Sequence, residues 1–378
     1  MNFTNPFQKI LSLGSSFLKG SAGNGSVLGI DIGTSAIKIA QIRKEDGRAV
    51  LETYGSIALG PYANLDAGAT TNLNPADLKA PIDAVLKESG VTTTNAMIAI
   101  PSPASMVFVV ELPPGITDKQ IPEVIPTEAR RFIPVPIGEV KMDYWQIPKK
   151  EESFEDPTVE HPEDPHAKTE VLVAAIHNDT VARYKDIGTA TGLSLDVEIE
   201  TFSTIRSVFN RELSPTMVVD LGALKTKVAI LEYGVVKSVH LINRGGKDIS
   251  EGLVTSLNIS FAKAEELKKQ LGVISNPTNP QVAEVVRLST DFIVGELQSV
   301  LLSYEHTHGK TINKIILSGG GALLPGFIEI IREKTGREVV LGNPFSKVGV
   351  PPFLEKILEQ TGPEFSVAVG LALGKLGE

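Results

Sequence analysis

An α/β protein built from two related halves around one cleft is predicted by three observations. The run Asp31-Ile32-Gly33, with Lys38 and Ala40, returns 189 residues later as Asp220-Leu221-Gly222 with Lys227 and Ala229, and both copies read D-x-G-x-x-x-x-K-x-A. Each copy sits between short apolar runs of strand character, Val27 to Asp31 then Ala36 to Ile42, and Met217 to Asp220 then Thr226 to Leu231. A third glycine cluster, Ser318-Gly319-Gly320-Gly321-Ala322, follows the apolar run Ile312 to Leu317 and precedes a helix-like stretch, Gly326 to Lys334, which Pro325 is placed to open. The repeat distance far exceeds the roughly 20 to 50 residues of a solenoid unit. Two subdomains facing each other, with one ligand between them, account for it.

Composition removes several classes of function. The chain has 378 residues, 42% of them hydrophobic, with 36 Lys and Arg against 45 Asp and Glu, a formal charge of −9. That length supports about two to three domains with ordinary cores. With no Cys there is no disulfide framework, thiolate zinc site or cysteine nucleophile, which fits a reducing, cytoplasmic setting. The acidic balance argues against nucleic acid as a partner. No stretch approaches the roughly 20 apolar residues that span a bilayer.

Along the chain, residues 1–26 read as a separable tail. Phe3, Phe7, Ile10, Leu11, Phe17 and Leu18 would make one apolar stripe if helical, ahead of a Gly/Ser-rich linker. A mobile terminus and a short amphipathic helix docking on lipid or a partner both remain open. Strand-like and helix-length segments then alternate, Pro75 to Ser89 among the latter. Region 95–197 is dense in proline, and Pro101, Pro103, Pro113, Pro114, Pro122, Pro126, Pro134 and Pro136 are expected to separate strand-like runs such as Ala96 to Ile100 and Val107 to Leu112. Within it, Lys149 to Lys168 is too acidic and proline-rich to pack and reads as a solvated loop. The closing run Phe365 to Leu373 is apolar on nearly every side and reads as core.

The chemistry of the cleft follows from the paired turns. Gly33 and Gly222 are expected to take positive φ and to leave room for backbone N–H groups to converge on a phosphate. Thr34 and Ser35 add hydroxyl donors, and Lys38 offers a compact charge to a phosphate oxygen. Asp31 and Asp220 suit a hard divalent cation held through water. Gly319, Gly320 and Gly321 would let the backbone approach a base or phosphate closely.

These residues carry a resemblance. Asp31-Ile32-Gly33-Thr34-Ser35, Asp220-Leu221-Gly222 with Thr226, and Gly319-Gly320-Gly321 resemble the two phosphate motifs and the adenosine motif of the actin-like ATPase superfamily. Glu128-Ala129-Arg130-Arg131-Phe132-Ile133-Pro134-Val135-Pro136, then Glu139-Val140 and Asp143-Tyr144, resemble the PilM family of type IV pilus assembly proteins, which is similar to the division protein FtsA. The resemblance runs from about residue 27 to the end. It implies an actin-like, ribonuclease H-like duplicated fold: a first subdomain from 27–94, 198–212 and 362–378, an inserted partner-binding subdomain at 95–197, a second subdomain from 213–250 and 310–361, and a small helical subdomain at 251–309.

The same resemblance implies ATP or ADP with Mg²⁺ at Asp31 and Asp220, and Glu265 and Lys268 on a helix contacting adenine and ribose. Gly246 would lie in a turn near phosphate, and Glu200 would orient an attacking water. Thr201 stands where relatives carry proline, and Leu224-Lys225 where a small hydroxyl residue is common, so binding is the stronger expectation and efficient hydrolysis the weaker. The implied role is a cytoplasmic scaffold held at the inner membrane by the N-terminal cytoplasmic peptide of a PilN-like protein, among other pilus components, with homo-oligomers left open. The alternatives are an FtsA-like filament protein and a small-molecule kinase of the same superfamily, whose openings Asp31 to Ser35 also resemble.

Overall fold

The structure is a computed structural model and describes residues 25–147, 169–210, 212 and 214–377. The apolar stripe Phe3 to Leu18 and the acidic stretch 149–168 lie outside the described residues. In chain order, β1 (Val27–Ile32), β2 (Ala36–Glu45), β3 (Arg48–Ala58), α1 (Pro75–Glu88) and β4 (Asn95–Ile100) lead into an insert. The insert comprises β5 (Ser105–Leu112), α2 (Ile121–Ala129), β6 (Val140–Gln146), β7 (Thr169–His177) and α3 (Asn178–Thr191). β8 (Ser194–Ile199) and α4 (Glu200–Val208) complete the first half. The second half runs through β9 (Thr216–Leu221), β10 (Thr226–Glu232), β11 (Val235–Ile242), α5 (Gly246–Leu257), α6 (Phe261–Leu271), α7 (Pro280–His308), β12 (Lys314–Ser318), α8 (Phe327–Thr335) and β13 (Glu338–Leu341). It closes with α9 (Pro352–Thr361) and α10 (Ser366–Leu376).

Two five-stranded sheets share one topology, β3-β2-β1-β4-β8 and β11-β10-β9-β12-β13. In each, the first three strands in sequence are antiparallel neighbours, and the later two add in parallel to the first. The strands are parallel where an intervening helix or insert returns the chain, because a parallel crossover needs about a dozen residues or more. This is the duplicated architecture that the repeated motif predicts. The insert forms its own three-stranded antiparallel sheet, β5-β7-β6, with Val110, Leu112, Ile121, Ile125, Val171 and Val173 in a separate small core.

The proline reading needs one correction. Pro122 and Pro126 do not separate strands; they lie within α2. Pro122 falls in the first turn, where its missing N–H has no partner to lose, and Pro126 costs a nine-residue helix one internal bond while Ile121, Ile125 and Ala129 bury its apolar face.

All nine residues of α4 are buried, because the helix runs between the two sheets. One apolar cluster joins Ile30, Ile98 and Ile199 of the first sheet, Phe202 and Ile205 of α4, Val218, Leu231 and Ile316 of the second sheet, and Leu172 and Ile176 of the insert. The insert is also tied to the second sheet by an ion pair between Lys237 on β11 and Glu170 on β7. Behind α4 lies α10, buried from Ser366 to Gly374, in agreement with the core reading of that segment. It approaches its neighbours backbone to backbone. A Cβ on Gly29 would stand 1.9 Å from the Ala368 carbonyl oxygen, and one on Gly370 would stand 1.8 Å from that of Ser203. Arg206 of α4 grips Glu198 through two bonds of 2.6 and 2.7 Å and donates to the Gly370 carbonyl at 2.9 Å.

Gly370→Ala is expected to destabilise the protein by about 3 kcal/mol through this clash, read as a fall in the urea midpoint. Gly295→Ala, in α7 with open space where its Cβ would go, should instead stabilise by about 0.5–1 kcal/mol.

Candidate functional site

The two repeated motifs fold into the same hairpin. Asp31, next to last in β1, lies directly opposite Lys38 on β2, and Asp220, next to last in β9, lies directly opposite Lys227 on β10. Each turn closes with one backbone bond, Gly33 N–H to the Ala36 carbonyl at 3.0 Å and Gly222 N–H to the Lys225 carbonyl at 3.1 Å. Neither glycine takes positive φ, contrary to expectation. Glycine is required by closeness instead, since a Cβ would stand 3.0 Å from the Ala36 oxygen and 2.9 Å from the Lys225 oxygen.

Three carboxylates converge where the hairpins meet α4. Asp31, Glu200 and Asp220 are all buried. Lys227 reaches from the second sheet to the start of α4, with its Nζ 2.9 Å from Asp220 Oδ2 and 3.1 Å from Glu200 Oε2. The other Glu200 oxygen accepts the Ser102 backbone N–H at 2.6 Å. Burial pushes the Asp31 carboxyl up to about 6; Lys38, 3.9 Å from its Oδ2, opposes the shift, Glu200 adds to it, Lys227 opposes it and Asp220 adds to it. Because Asp31 feels Lys227 and Asp220, the two hairpins face one cleft. Burial lowers the proton affinity of Lys227, but Asp220 and Glu200 outweigh it and hold the ammonium well above the usual lysine range.

The other predicted residues are distributed around this centre. The Thr34 carbonyl accepts from Thr71 N–H at 2.7 Å, and the Ser35 carbonyl accepts from Leu59 N–H at 2.9 Å, so the first turn is braced by the loop after β3. Thr226 is fully buried and donates its hydroxyl to the Arg244 carbonyl at 2.9 Å. Gly246 N–H donates to the Gly222 carbonyl at 3.0 Å, seating the start of α5 on the second turn. Gly319, at φ +80, packs on the hairpin so closely that a Cβ would lie 2.3 Å from Asp220 Oδ1. Gly321 does the same against Leu221 at 2.1 Å, whereas Gly320 lies toward Glu364.

Glu265 and Lys268 pair with each other on one face of α6, and Lys268 also donates to Ser250 Oγ at 2.8 Å and to the Gly246 carbonyl at 3.1 Å. Burial pulls the Lys268 ammonium down in proton affinity. Gly68 of the first half, at φ +94, comes so near that a Cβ would meet Glu265 Oε2 at 2.9 Å, so the halves also touch here.

Two site residues escape a sequence reading. Lys227 stands in the repeated motif, yet the repetition does not say that it crosses the cleft. Ser102, 98 residues before Glu200, carries no sequence signal. A cavity of about 10 Å³, lined by Thr201, Thr204, Ile205, Val218, Asp220, Lys227 and Ala229, has room for one water, and the buried Thr204 hydroxyl that lines it has no protein partner. The expected Mg²⁺ does not find a ready donor set. Among the described residues no three His, Cys, Asp or Glu side chains stand close enough together to ligate one ion directly, the converging Asp31, Glu200 and Asp220 included, and an ammonium already stands between Glu200 and Asp220.

A family model described as type IV pilus assembly protein PilM matches residues 29–376. The chain belongs to the PilM family. A solved PilM-PilN type IV pilus biogenesis complex contains a chain 25% identical to it, with a TM-score of 0.77 over 94% of this chain and 100% of that one. The ethanolamine utilization protein EutJ from Carboxydothermus hydrogenoformans, 17% identical, superposes with a TM-score of 0.51 over 97% of each chain and shares the fold. The cell division protein FtsA of Streptococcus pneumoniae serotype 2 (strain D39 / NCTC 7466) is 26% identical over 374 residues, covering 87% of this chain and 78% of that protein. The fold is actin-like, as the resemblance implies. No described helix is long and apolar enough to cross a membrane.

In this PilM-family chain the raised Asp31 has a definite pH consequence. Between the ordinary aspartate value of 3.8 and about 6 the folded state binds more protons at this group than the unfolded state, so its contribution to stability falls as pH rises through that window. The shift corresponds to about 3 kcal/mol. Asp31→Asn should therefore raise nucleotide-free stability at pH 7.5 by on the order of 2–3 kcal/mol and leave it nearly unchanged at pH 4, as read by urea unfolding at both values.

Proposed function

We propose that this PilM-family chain is a nucleotide-binding scaffold of type IV pilus assembly, taking ATP or ADP between its paired hairpins and docking the N-terminal cytoplasmic peptide of a PilN-like membrane protein. The observation that carries the nucleotide reading is the convergence of two identical hairpins, one from each sheet, on one charged cleft. In this reading the turns at Gly33 and Gly222 receive the phosphates with Lys38, and Gly246, Gly319 and the Glu265–Lys268 pair flank the nucleoside, with Gly320 and Gly321 shaping the turn behind it. Thr34 and Ser35 would offer their hydroxyls from the first turn, and Thr226 would hold the second turn in place. The division into a first subdomain, an insert, a second subdomain and a small helical subdomain at 251–309 belongs to the same proposal.

Binding is favoured over turnover. Glu200, the residue assigned to orient water, has one oxygen on the Ser102 N–H and the other on Lys227. A carboxylate so engaged is poorly placed to act as a base. Nucleotide would act by preferring one arrangement of the halves, since only a ligand with different affinity for two states shifts their balance.

The partner reading rests on the PilM-PilN complex among similar structures and on the surface of the insert. Phe132, 43% exposed, stacks on Phe108 at 4.8 Å between ring centres, and the Arg131 guanidinium lies 5.2 Å from the Phe132 centre. An exposed phenylalanine stacked on a half-buried one and topped by arginine is the composition of an interaction hot spot. Docking there would place the chain at the inner membrane through its partner. The FtsA relative supports a second reading, a filament protein, which nucleotide-dependent pelleting would reveal.

Calorimetry should show ATP binding, weakened at least tenfold in Asp220→Ala; unchanged affinity removes Asp220 from the site. A synthetic peptide from the N-terminal cytoplasmic tail of a PilN-like protein of the same organism should bind with micromolar affinity. Phe132→Ala should weaken that binding about tenfold or more, as read by fluorescence anisotropy, and the absence of peptide binding with and without ATP rejects the docking role.

A further inference from the structure

The repeated motif places a lysine opposite an aspartate in both halves, but the two lysines are used differently. Lys38 stands 3.9 Å from Asp31. Lys227 stands within hydrogen-bonding distance of two carboxylates that belong to different halves, Asp220 on β9 and Glu200 on α4. Its side chain is only 16% exposed, and those of Glu200 and Asp220 are 8% and 10% exposed. A nearly buried cation between two acidic oxygens, with a third carboxylate close by, is the electrostatic role of a metal ion. The lysine stem fixes it there covalently from β10, an interior strand of the sheet.

We propose that Lys227 is the resident cation of this cleft, its ammonium standing where a divalent metal would otherwise bridge Glu200 and Asp220, so that the site takes nucleotide without a divalent ion. The first half of this statement stands on the geometry alone; the second rests on the nucleotide reading above. Charge supports the first half and only partly eases the second, since one negative charge remains at the site. Three carboxylates beside a polyphosphate repel it, and Lys38 and Lys227 together offset two of the three negative charges. A bound lysine also differs from an ion in being always present, so the two halves are bridged whether or not nucleotide is there.

Three measurements test this. In the nucleotide-free protein, Mn²⁺ titration followed by electron paramagnetic resonance should show no site tighter than about millimolar in the wild type. A new site at least tenfold tighter should appear in Lys227→Met, which keeps the apolar stem and loses the charge, and should be absent in Lys227→Arg. Wild-type ATP affinity, measured by calorimetry, should change less than about threefold when Mg²⁺ is replaced by EDTA, whereas Lys227→Met should lose at least tenfold in EDTA and recover with Mg²⁺. Failure of Lys227→Met to gain Mn²⁺, or equally tight Mn²⁺ binding by the wild type, overturns the place assigned to Lys227. A wild-type ATP affinity that collapses more than tenfold in EDTA overturns the metal-free site and leaves the nucleotide reading intact. Absence of ATP binding by the wild type in both conditions overturns the nucleotide reading, and the Mn²⁺ titration still decides what Lys227 does. Should Lys227→Met fail to fold, the two wild-type measurements decide the matter on their own.

Discussion

The seam between the halves depends on one ammonium group set among buried carboxylates. Burying acidic groups without a partner is costly, and the cost falls when a fixed counter-charge meets them in good geometry. Lys227 supplies that charge to Glu200 and Asp220 together. Such a pair adds little to stability over apolar packing of the same volume, but it strongly disfavours any arrangement in which one member is buried alone. Its effect is to specify how the halves meet.

The seam is held in place by packing that leaves little freedom. Glu200 opens α4, a helix buried along its full length, and α4 is pressed from behind by α10 where Gly370 meets Ser203 backbone to backbone. Glycine at that crossing permits an approach that any side chain would prevent. On the other side, β9 and β10 carry Asp220 and Lys227 in a fixed antiparallel register. A carboxylate at a helix start and an ammonium on an interior strand are therefore brought together by two regular elements.

Much of this was legible in the sequence, and the reasons differ residue by residue. The duplicated sheets follow from a motif whose aspartate, glycine and lysine recur at identical spacing, since a shared local pattern imposes a shared hairpin. The burial of Phe365 to Leu373 follows from its uniform apolarity. The left-handed φ expected at Gly33 and Gly222 was not found, because a glycine can be demanded by a close carbonyl as well as by a dihedral angle, and a sequence does not separate these. Pro122 and Pro126 read as breakers, yet burial of Ile121, Ile125 and Ala129 outweighs the lost bond in α2. Asp220 follows from the repeated motif and Glu200 from the resemblance, but their link through Lys227 is a tertiary contact between segments that no local pattern connects.

Two of the contacts that fasten the insert reach different halves of the molecule. Ser102, at its entry, holds Glu200 through its backbone N–H, and Glu170, on its central strand, is ion-paired with Lys237 at the rim of the opposite sheet. It is thus a strut bolted to both jaws of the molecule and not a pendant module. Any change in how the halves meet would therefore act on both anchorages of the insert at once.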